Sequence, residues 1–272
     1  YKNRLKLDWK NEDIAVPSFI GLKQITDYPL EEIRKYIDWT FFFSAWEIRG
    51  SFPKILNDPV KGEAARELFE NANLLLDEII EKGLLQANVA YGFWPANTIR
   101  EDIILYQNEK RADELVRFNM LRQQKIRNEV ALSLSDFIAP KNSEIDDYIG
   151  AFAVTAGINA KKLSEKYESE NDDYNSIMVK AIADRLAEAF AELMHQRVRK
   201  EWGFPDDKSI TNQDLIKEKY RGIRPAFGYP ACPDHSEKEK LFKILDAESI
   251  SIKLTENYAM NPAASVSGLY FS

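Results

Sequence analysis

The chain has 272 residues, of which 44% are hydrophobic and 30% are charged, and its formal net charge is -7 at pH 7. No apolar run approaches the roughly 18 residues that a membrane span requires, so we expect no membrane segment. The acidic balance disfavours nucleic acid as a partner, because phosphate binding needs a surplus of lysine and arginine. A single cysteine excludes an internal disulfide. Without a signal-peptide pattern, it also favours a cytoplasmic protein.

The first third of the chain predicts an arm followed by two helices. Residues 1–30 carry prolines at positions 17 and 29 and no sustained apolar period, so we predict an arm that lies over the surface, anchored by Trp9. The segment 31–48 has apolar residues at helical spacing. Its predicted apolar face comprises Ile33, Ile37, Phe41 and Ala45. A second helix is predicted over 58–83, where Asp58 can cap the first turn and Gly83 can end the last.

The middle and the end of the chain contain segments that are typical of strands. LLQANVAYGFW, DIILY and ELVRFNML are apolar or alternating, and turn-compatible residues separate them. DYIGAFAVTAG, at 147–157, consists mainly of small and apolar residues, which indicates a buried strand. At the end of the chain, SIKLTENYAM and SVSGLYFS predict a closing hairpin around NPAA.

A long helix is predicted over 177–202, with Asp184, Glu188 and His195 on its polar side. Its predicted apolar face comprises Ile182, Leu186, Phe190 and Leu193. Shorter helices are predicted near 212–220 and 236–247. Because strands occur in blocks and do not alternate regularly with helices, we predict an α+β fold with a central antiparallel or mixed twisted sheet flanked by helices.

The stretch RPAFGYPACPDH, residues 224–235, contains the only cysteine and one of the two histidines. Cys232 and His235 could supply two metal ligands, but a structural zinc site needs four and a catalytic site usually three. They could also form a nucleophile pair, although no basic residue adjoins Cys232 to lower its pKa. Neither pattern is complete, so the sequence predicts no catalytic residue and no metal ligand.

The same stretch also has the features of a shaped backbone loop. Three prolines hold the residues before them extended, and Gly228 permits a positive φ or the close approach of a ligand. Main-chain groups held in this way remain available to an adenine-like edge or to ordered water. Arg224 offers a planar fork for a carboxylate or a phosphate. The alternative is a rigid surface crossing whose arginine makes a structural ion pair.

Three acidic residues are further candidates for a binding site. Asp38 lies in the aromatic segment YIDWTFFFSAW, where a buried carboxylate needs a cationic partner such as a ligand amine. Glu188 belongs to the long helix, and Glu218 lies just before the loop. The alternative is that all three face water, which is common for acidic side chains.

Six segments occur in order along the chain: YIDWTFFFSAW, ANVAYGFWPAN, DYIGAFAVTAG, DRLAEAFAELMH, GIRPAFGYPACPDH and KLTENYAMNPAASVSGLYFS. Together they resemble the C-terminal reactivation, or activation, module of cobalamin-dependent methionine synthase, which binds S-adenosyl-L-methionine (AdoMet). The resemblance spans nearly the whole chain. The Arg-x-x-x-Gly-Tyr core formed by Arg224, Gly228 and Tyr229 is weak as an isolated pattern, but it is specific within this ordered set.

The resemblance implies a single C-shaped, AdoMet-binding domain over residues 1–272, with a shallow groove beside an antiparallel sheet. By position, Arg224 would bind the AdoMet carboxylate and Asp38 would hold the amino end. Glu188 and Glu218 match acidic positions that line the same region. These roles suit a zwitterion with an added sulfonium charge, which needs one guanidinium and more than one carboxylate.

The loop backbone and a partner domain complete the implied site. Ala226 and Tyr229 would meet the nucleoside through main-chain groups, Gly228 would allow the close approach, and Tyr229 would also lie near the corrin. When the cobalt(I) cofactor is oxidised to cobalt(II), an electron from a flavodoxin-like donor and a methyl group from AdoMet would restore methylcobalamin. Cobalamin would be carried by another domain of the same polypeptide, so this module would only orient the methyl group.

Two other functions stay open at the level of sequence. The first is a free-standing AdoMet-dependent methyltransferase, which the absence of a glycine-rich nucleotide loop disfavours. The second is an interaction module for the cobalamin domain that no longer binds AdoMet. The chain begins at Tyr1 and ends in a strand-like segment, so we expect a piece of a longer polypeptide. A tyrosine pair that contacts AdoMet in the family would then fall after Ser272, which would lower the affinity.

Overall fold

The computed structural model describes residues 4–124 and 130–272, without the side chains of residues 212 and 213. Residues 1–3 of the predicted arm lie outside the described residues. The strands are β1 Gly21–Ile25, β2 Gln86–Ile99, β3 Asp102–Tyr106, β4 Glu114–Asn119, β5 Asp147–Ile158, β6 Lys253–Leu254, β7 Met260–Asn261 and β8 Ser265–Tyr270. The α-helices are α1 Leu30–Ile33, α2 Trp39–Ala45, α3 Gly62–Glu81, α4 Ala160–Ser169, α5 Asp173–Glu201, α6 Asn212–Ile216 and α7 Lys238–Leu245.

Within the described residues, six strands form one sheet in the order β4-β3-β2-β5-β8, and β1 also pairs with β2. All of these pairings are antiparallel. The long strand β2 pairs with β5 along one edge, while β1 and β3 share its other edge. The predicted α+β class, with a central antiparallel sheet flanked by helices, is therefore confirmed.

Both faces of the central strands are buried, although the sheet is antiparallel. Side chains alternate along a strand, so neighbouring residues point to opposite faces. Tyr91 and Phe152 belong to the core that packs against α3 and α5, whereas Trp94 and Ala151 belong to the core that packs against α7. Burial on both faces explains why β2 and β5 are apolar almost throughout and lack a polar alternation.

The two long helices agree with the sequence prediction in their main features. Leu68, Leu75 and Ile79 of α3 are buried. Asp58 accepts hydrogen bonds from the N–H groups of Val60 and Lys61, although the helix proper begins only at Gly62. The predicted apolar face of α5 is buried as well: Ile182, Leu186, Phe190 and Leu193.

Several details of the prediction are wrong. The predicted arm over residues 1–30 is not wholly a surface arm, because residues 21–25 form β1 and pair with β2 in the central sheet. The helix predicted over 31–48 is interrupted before α2 because Asp38 caps a new helix by accepting from the N–H of Thr40 at 2.9 Å. The interruption shifts the apolar face, so Phe42 and Phe43 are buried while Phe41 is 62% exposed. His195 is buried, not on a polar surface.

The prediction of a closing hairpin is also wrong. The residues of β6 pair with those of β7, both within SIKLTENYAMN, whereas β8 pairs with β5. The reason is that β5 has an edge long enough to take β8 over six residue pairs, from Gly150–Tyr270 to Thr155–Ser265. This pairing buries an apolar strand against the sheet, which a two-stranded hairpin in water could not do. Within the described residues 4–124 and 130–272, no helix is long and apolar enough to cross a membrane.

Candidate functional site

A cleft of about 400 Å³ lies between α2, α5, α6 and the start of the 224–235 loop. Five of the seven residues that sequence reasoning selected line it: Asp38, Glu188, Glu218, Arg224 and Tyr229. The other lining residues are Tyr36, Phe41, Arg185, Ala189, Glu192, Leu215 and Ile216. The cleft thus brings together selected residues that lie up to 191 positions apart in sequence, from Asp38 to Tyr229.

Asp38 reaches the cleft because the chain turns there. Its backbone is extended, with φ -82° and ψ 98°, and its Oδ1 atom caps α2. The side chain is half-buried, and it forms no ion pair with the described residues. One oxygen therefore has a structural task, and the carboxylate still has capacity to accept from a cation.

The helix α5 contributes a row of charged residues to one wall. Arg185, Glu188 and Glu192 follow one another at spacings of three and four residues, which places them on the same helix face. Sequence reasoning selected Glu188 and missed the other two. The same spacing would have found them, because it marks every residue one turn away from a candidate on the same helix.

The β8 strand positions Arg224 through the backbone. Leu269 N–H donates to the carbonyl of Pro225 at 3.0 Å, and Ile223 and Phe271 exchange two hydrogen bonds. Gly268 allows this approach, because a Cβ there would overlap the Pro225 carbonyl. The loop is therefore fastened to the sheet directly on both sides of Arg224.

The Arg224 guanidinium is mostly buried and incompletely paired. Its Nη2 atom lies 3.4 Å from Oε2 of Glu192, and the two side chains are 20% and 15% exposed. The buried Nε of Arg224 and the buried Oε1 of Glu192 have no hydrogen-bond partner among the described residues. This contact is long and involves one N–H group, unlike a bidentate arginine–carboxylate pair. Arg224 consequently has N–H groups to offer a second acceptor.

A buried polar cluster lies behind Arg224. The His195 ring stacks on Tyr270, with centroids 5.2 Å apart, and meets Tyr220 edge-on at 4.9 Å. Burial, with a smaller contribution from Arg199 and Arg224, lowers the pKa of His195 to about 2. Burial likewise raises the pKa of Tyr220 to about 12 and raises that of Tyr270. These three rings are therefore neutral at physiological pH.

The rest of the 224–235 loop closes on itself. Gly228 N–H donates to the Cys232 carbonyl and Cys232 N–H donates to the Tyr229 carbonyl, both at 2.9 Å. The thiol of Cys232 donates to the Ala226 carbonyl at 3.0 Å. Burial raises the pKa of this thiol to about 11, so it is not a thiolate. Gly228 has φ 103°, and a Cβ there would overlap the His235 ring.

Cys232 and His235, which looked reactive in the sequence, have structural contacts within the loop. Within the described ranges, no group of three or more His, Cys, Asp and Glu side chains could hold a metal ion. Ala226 and Gly228 do not belong to the lining of the cleft, although the N–H of Ala226 makes no hydrogen bond to described residues. Tyr229 projects at the rim and is 66% exposed.

The charge of the cleft suits a cationic ligand that also carries one anionic group. Four carboxylates line it, from Asp38, Glu188, Glu192 and Glu218, against two guanidiniums. Two other cavities, of about 440 and 460 Å³, contain none of the seven selected residues. The 400 Å³ cleft is the better candidate because buried, unpartnered polar atoms converge there, which is typical of binding sites.

Comparisons with known proteins identify the family to which the chain belongs. The profile of a family described as the activation domain of vitamin B12 dependent methionine synthase matches residues 29–272. A crystal structure of the MetH reactivation domain bound to AdoHcy is 45% identical to this chain, with a TM-score of 0.96. The similarity covers 100% of this chain and 84% of that one. The chain belongs to the activation-domain family of vitamin B12-dependent methionine synthases, and it is a part of that enzyme.

Proposed function

We propose that the cleft binds AdoMet and presents its methyl group to cobalamin during reductive reactivation of methionine synthase, with residues 1–272 acting as one AdoMet-binding domain. The observation that carries the proposal is the convergence of Arg224 with four carboxylates in one cleft. AdoMet has a carboxylate, an ammonium and a sulfonium, so it needs both kinds of partner. The similar MetH domain is bound to AdoHcy, which is AdoMet without the transferable methyl group.

Each polar group of AdoMet has a partner at the cleft. Arg224 binds the carboxylate, because its guanidinium is mostly buried and keeps unpartnered N–H capacity. Asp38 receives the ammonium, since this half-buried carboxylate has no cationic partner among the described residues. Glu188 and Glu218 are exposed and add negative charge near the sulfonium.

The nucleoside lies along the 224–235 loop. Ala226 offers a free N–H group, Gly228 lets the ligand approach the main chain closely, and Tyr229 adds its backbone and an exposed ring. The exposed ring faces the corrin when the cobalamin-binding domain of the same polypeptide docks. Because this rim is open, the methyl group stays accessible from outside the domain.

The residues of this chain act by orientation. The methyl group would come from AdoMet, which would leave as AdoHcy, and the electron would come from a flavodoxin-like donor; the cobalamin of the partner domain would supply the cobalt that receives them. No residue of the cleft has to attack or to remove a proton, which fits a buried neutral thiol at Cys232 and a buried neutral His195. Fixing the carboxylate, the ammonium and the nucleoside restricts the methyl group to one direction of approach. The reaction takes place in the cytoplasm.

Calorimetric titration of the chain with AdoHcy tests the proposal. We expect one binding site per chain. Methylthioadenosine, which lacks the amino-acid part, serves as the matched control ligand and should bind far more weakly, because it cannot use Arg224 or Asp38. Absence of AdoHcy binding would contradict the proposal, and it would favour an interaction module for the cobalamin domain that does not bind AdoMet.

A further inference from the structure

We propose that Glu192 is a positioning residue, which holds the Arg224 guanidinium at the cleft wall so that it can receive the carboxylate of the ligand. This inference rests on the proposed function, because it concerns the carboxylate end of the AdoMet site. Glu192 was not selected from the sequence. It lies one helical turn after Glu188 on α5 and lines the same cleft.

Glu192 is the anion that Arg224 contacts. Its Oε2 atom accepts from Nη2 of Arg224 at 3.4 Å, and both side chains are mostly buried. The single long contact occupies only part of the guanidinium. Burial raises the pKa of Glu192, while Arg224 and Arg199 oppose that shift. Glu192 therefore sits in a weakly screening environment, where its attraction for Arg224 is stronger than at a surface.

Among the residues that the structure describes, the groups on the buried side of Arg224 include no anion other than Glu192 that pairs with it. His195, Tyr220 and Tyr270 are neutral, and Arg224 lies above the Phe152 ring at 5.9 Å. The buried carboxylate of Asp206 is already bound by both Nε and Nη2 of Arg199, at 2.6 and 2.7 Å. Glu192 is thus the residue that can hold the guanidinium back against the domain.

The open side of the cleft presents competing carboxylates. Asp38, Glu188 and Glu218 line the same cavity, and we assign all three to the positively charged parts of the ligand. A mostly buried guanidinium without its counter-ion would turn toward them, because an unpaired buried charge is costly. In that orientation Arg224 would no longer be available to the carboxylate of the ligand. It would also neutralise a protein carboxylate that the ammonium or sulfonium of the ligand needs. Loss of Glu192 should therefore weaken ligand binding.

The experiment is a double-mutant cycle read by AdoHcy binding, with Glu192→Ala, Arg224→Ala and the double variant. We expect Glu192→Ala to weaken binding about tenfold in the parent chain and less than about twofold in the Arg224→Ala background, because residues in contact are non-additive. Glu165→Ala is the control. This residue is exposed on α4, lies 3.7 Å from Lys161 and does not line the cleft, so binding should be unchanged.

The outcomes separate this inference from the proposed function. If the parent chain binds AdoHcy but Glu192→Ala leaves binding unchanged, tightens it, or weakens it equally in both backgrounds, the positioning role is overturned. If the parent chain does not bind AdoHcy, the proposed function falls and the inference falls with it. Should Glu192→Ala not fold, Glu192→Gln takes its place in the cycle. The neutral amide should then cause a loss of about threefold that again disappears in the Arg224→Ala background.

Discussion

Replacing Arg224 by alanine removes the one guanidinium that the loop contributes to the cleft. The side chain is 20% exposed, so its contacts are only partly screened by water. Removing one partner of a mostly buried, hydrogen-bonded charge pair costs about 2 to 5 kcal/mol of binding free energy. At about 1.4 kcal/mol for each factor of ten, this cost corresponds to a loss of about 30-fold to several thousandfold in affinity.

Titration calorimetry with AdoHcy measures this loss, and Arg221→Ala provides a matched control. Arg221 lies three residues earlier and pairs with Asp13 on the exposed surface, and it does not line the cleft. We expect Arg221→Ala to bind like the parent chain. Equal affinity of Arg224→Ala and the parent, with both variants folded by circular dichroism, would refute the assignment of the ligand carboxylate to Arg224.

Asp38→Ala should weaken AdoHcy binding at least tenfold in calorimetry and should lower the unfolding free energy by about 1 kcal/mol, because a helix cap is also lost; unchanged binding would contradict the ammonium assignment. Cys232→Ser should keep binding, since a hydroxyl can donate to Ala226 as the thiol does, whereas Cys232→Val should weaken it; equal affinities would show that this bond does not shape the loop. Burial raises the pKa of Asp147 from its ordinary 3.8 to about 6, so the folded state binds a proton that the unfolded state has lost and stability falls as pH rises through this window. Urea unfolding measures this effect. Between pH 4 and 7, the unfolding free energy of Asp147→Asn should fall by up to about 3 kcal/mol less than that of the parent chain.

Regular patterns allowed much of the fold to be predicted from the sequence. The apolar face of α5 repeats with the helical period, and the strands β2 and β5 are apolar along almost their whole length. The α4 helix was missed because its pattern is weak: Leu163 is its only large apolar residue that is buried. The pairing of β8 with β5 was missed because strand partners far apart in sequence are chosen by the burial they achieve, which local patterns do not show.

The candidate site also has features that could be predicted from the sequence and features that could not. Arg224 could be selected because the guanidinium of an arginine before a proline-rich loop needs an anionic partner. Asp38 could be selected because a carboxylate among aromatic residues needs a cationic partner. The burial of His195 could not be predicted from the sequence. Only the packing of Tyr220 and Tyr270 around its ring shows that this face of α5 is buried. Glu192 was overlooked because a glutamate on a helix is ordinarily solvated, and its burial depends on a loop 32 residues away.

The most direct test of the AdoMet site is a crystal structure of the chain grown with AdoHcy. Electron density for the ligand should lie in the cleft between α5 and the 224–235 loop, with its carboxylate on the Arg224 guanidinium and its amino group on Asp38. Density in a different cavity, or a ligand in this cleft with its carboxylate away from Arg224, would contradict the account.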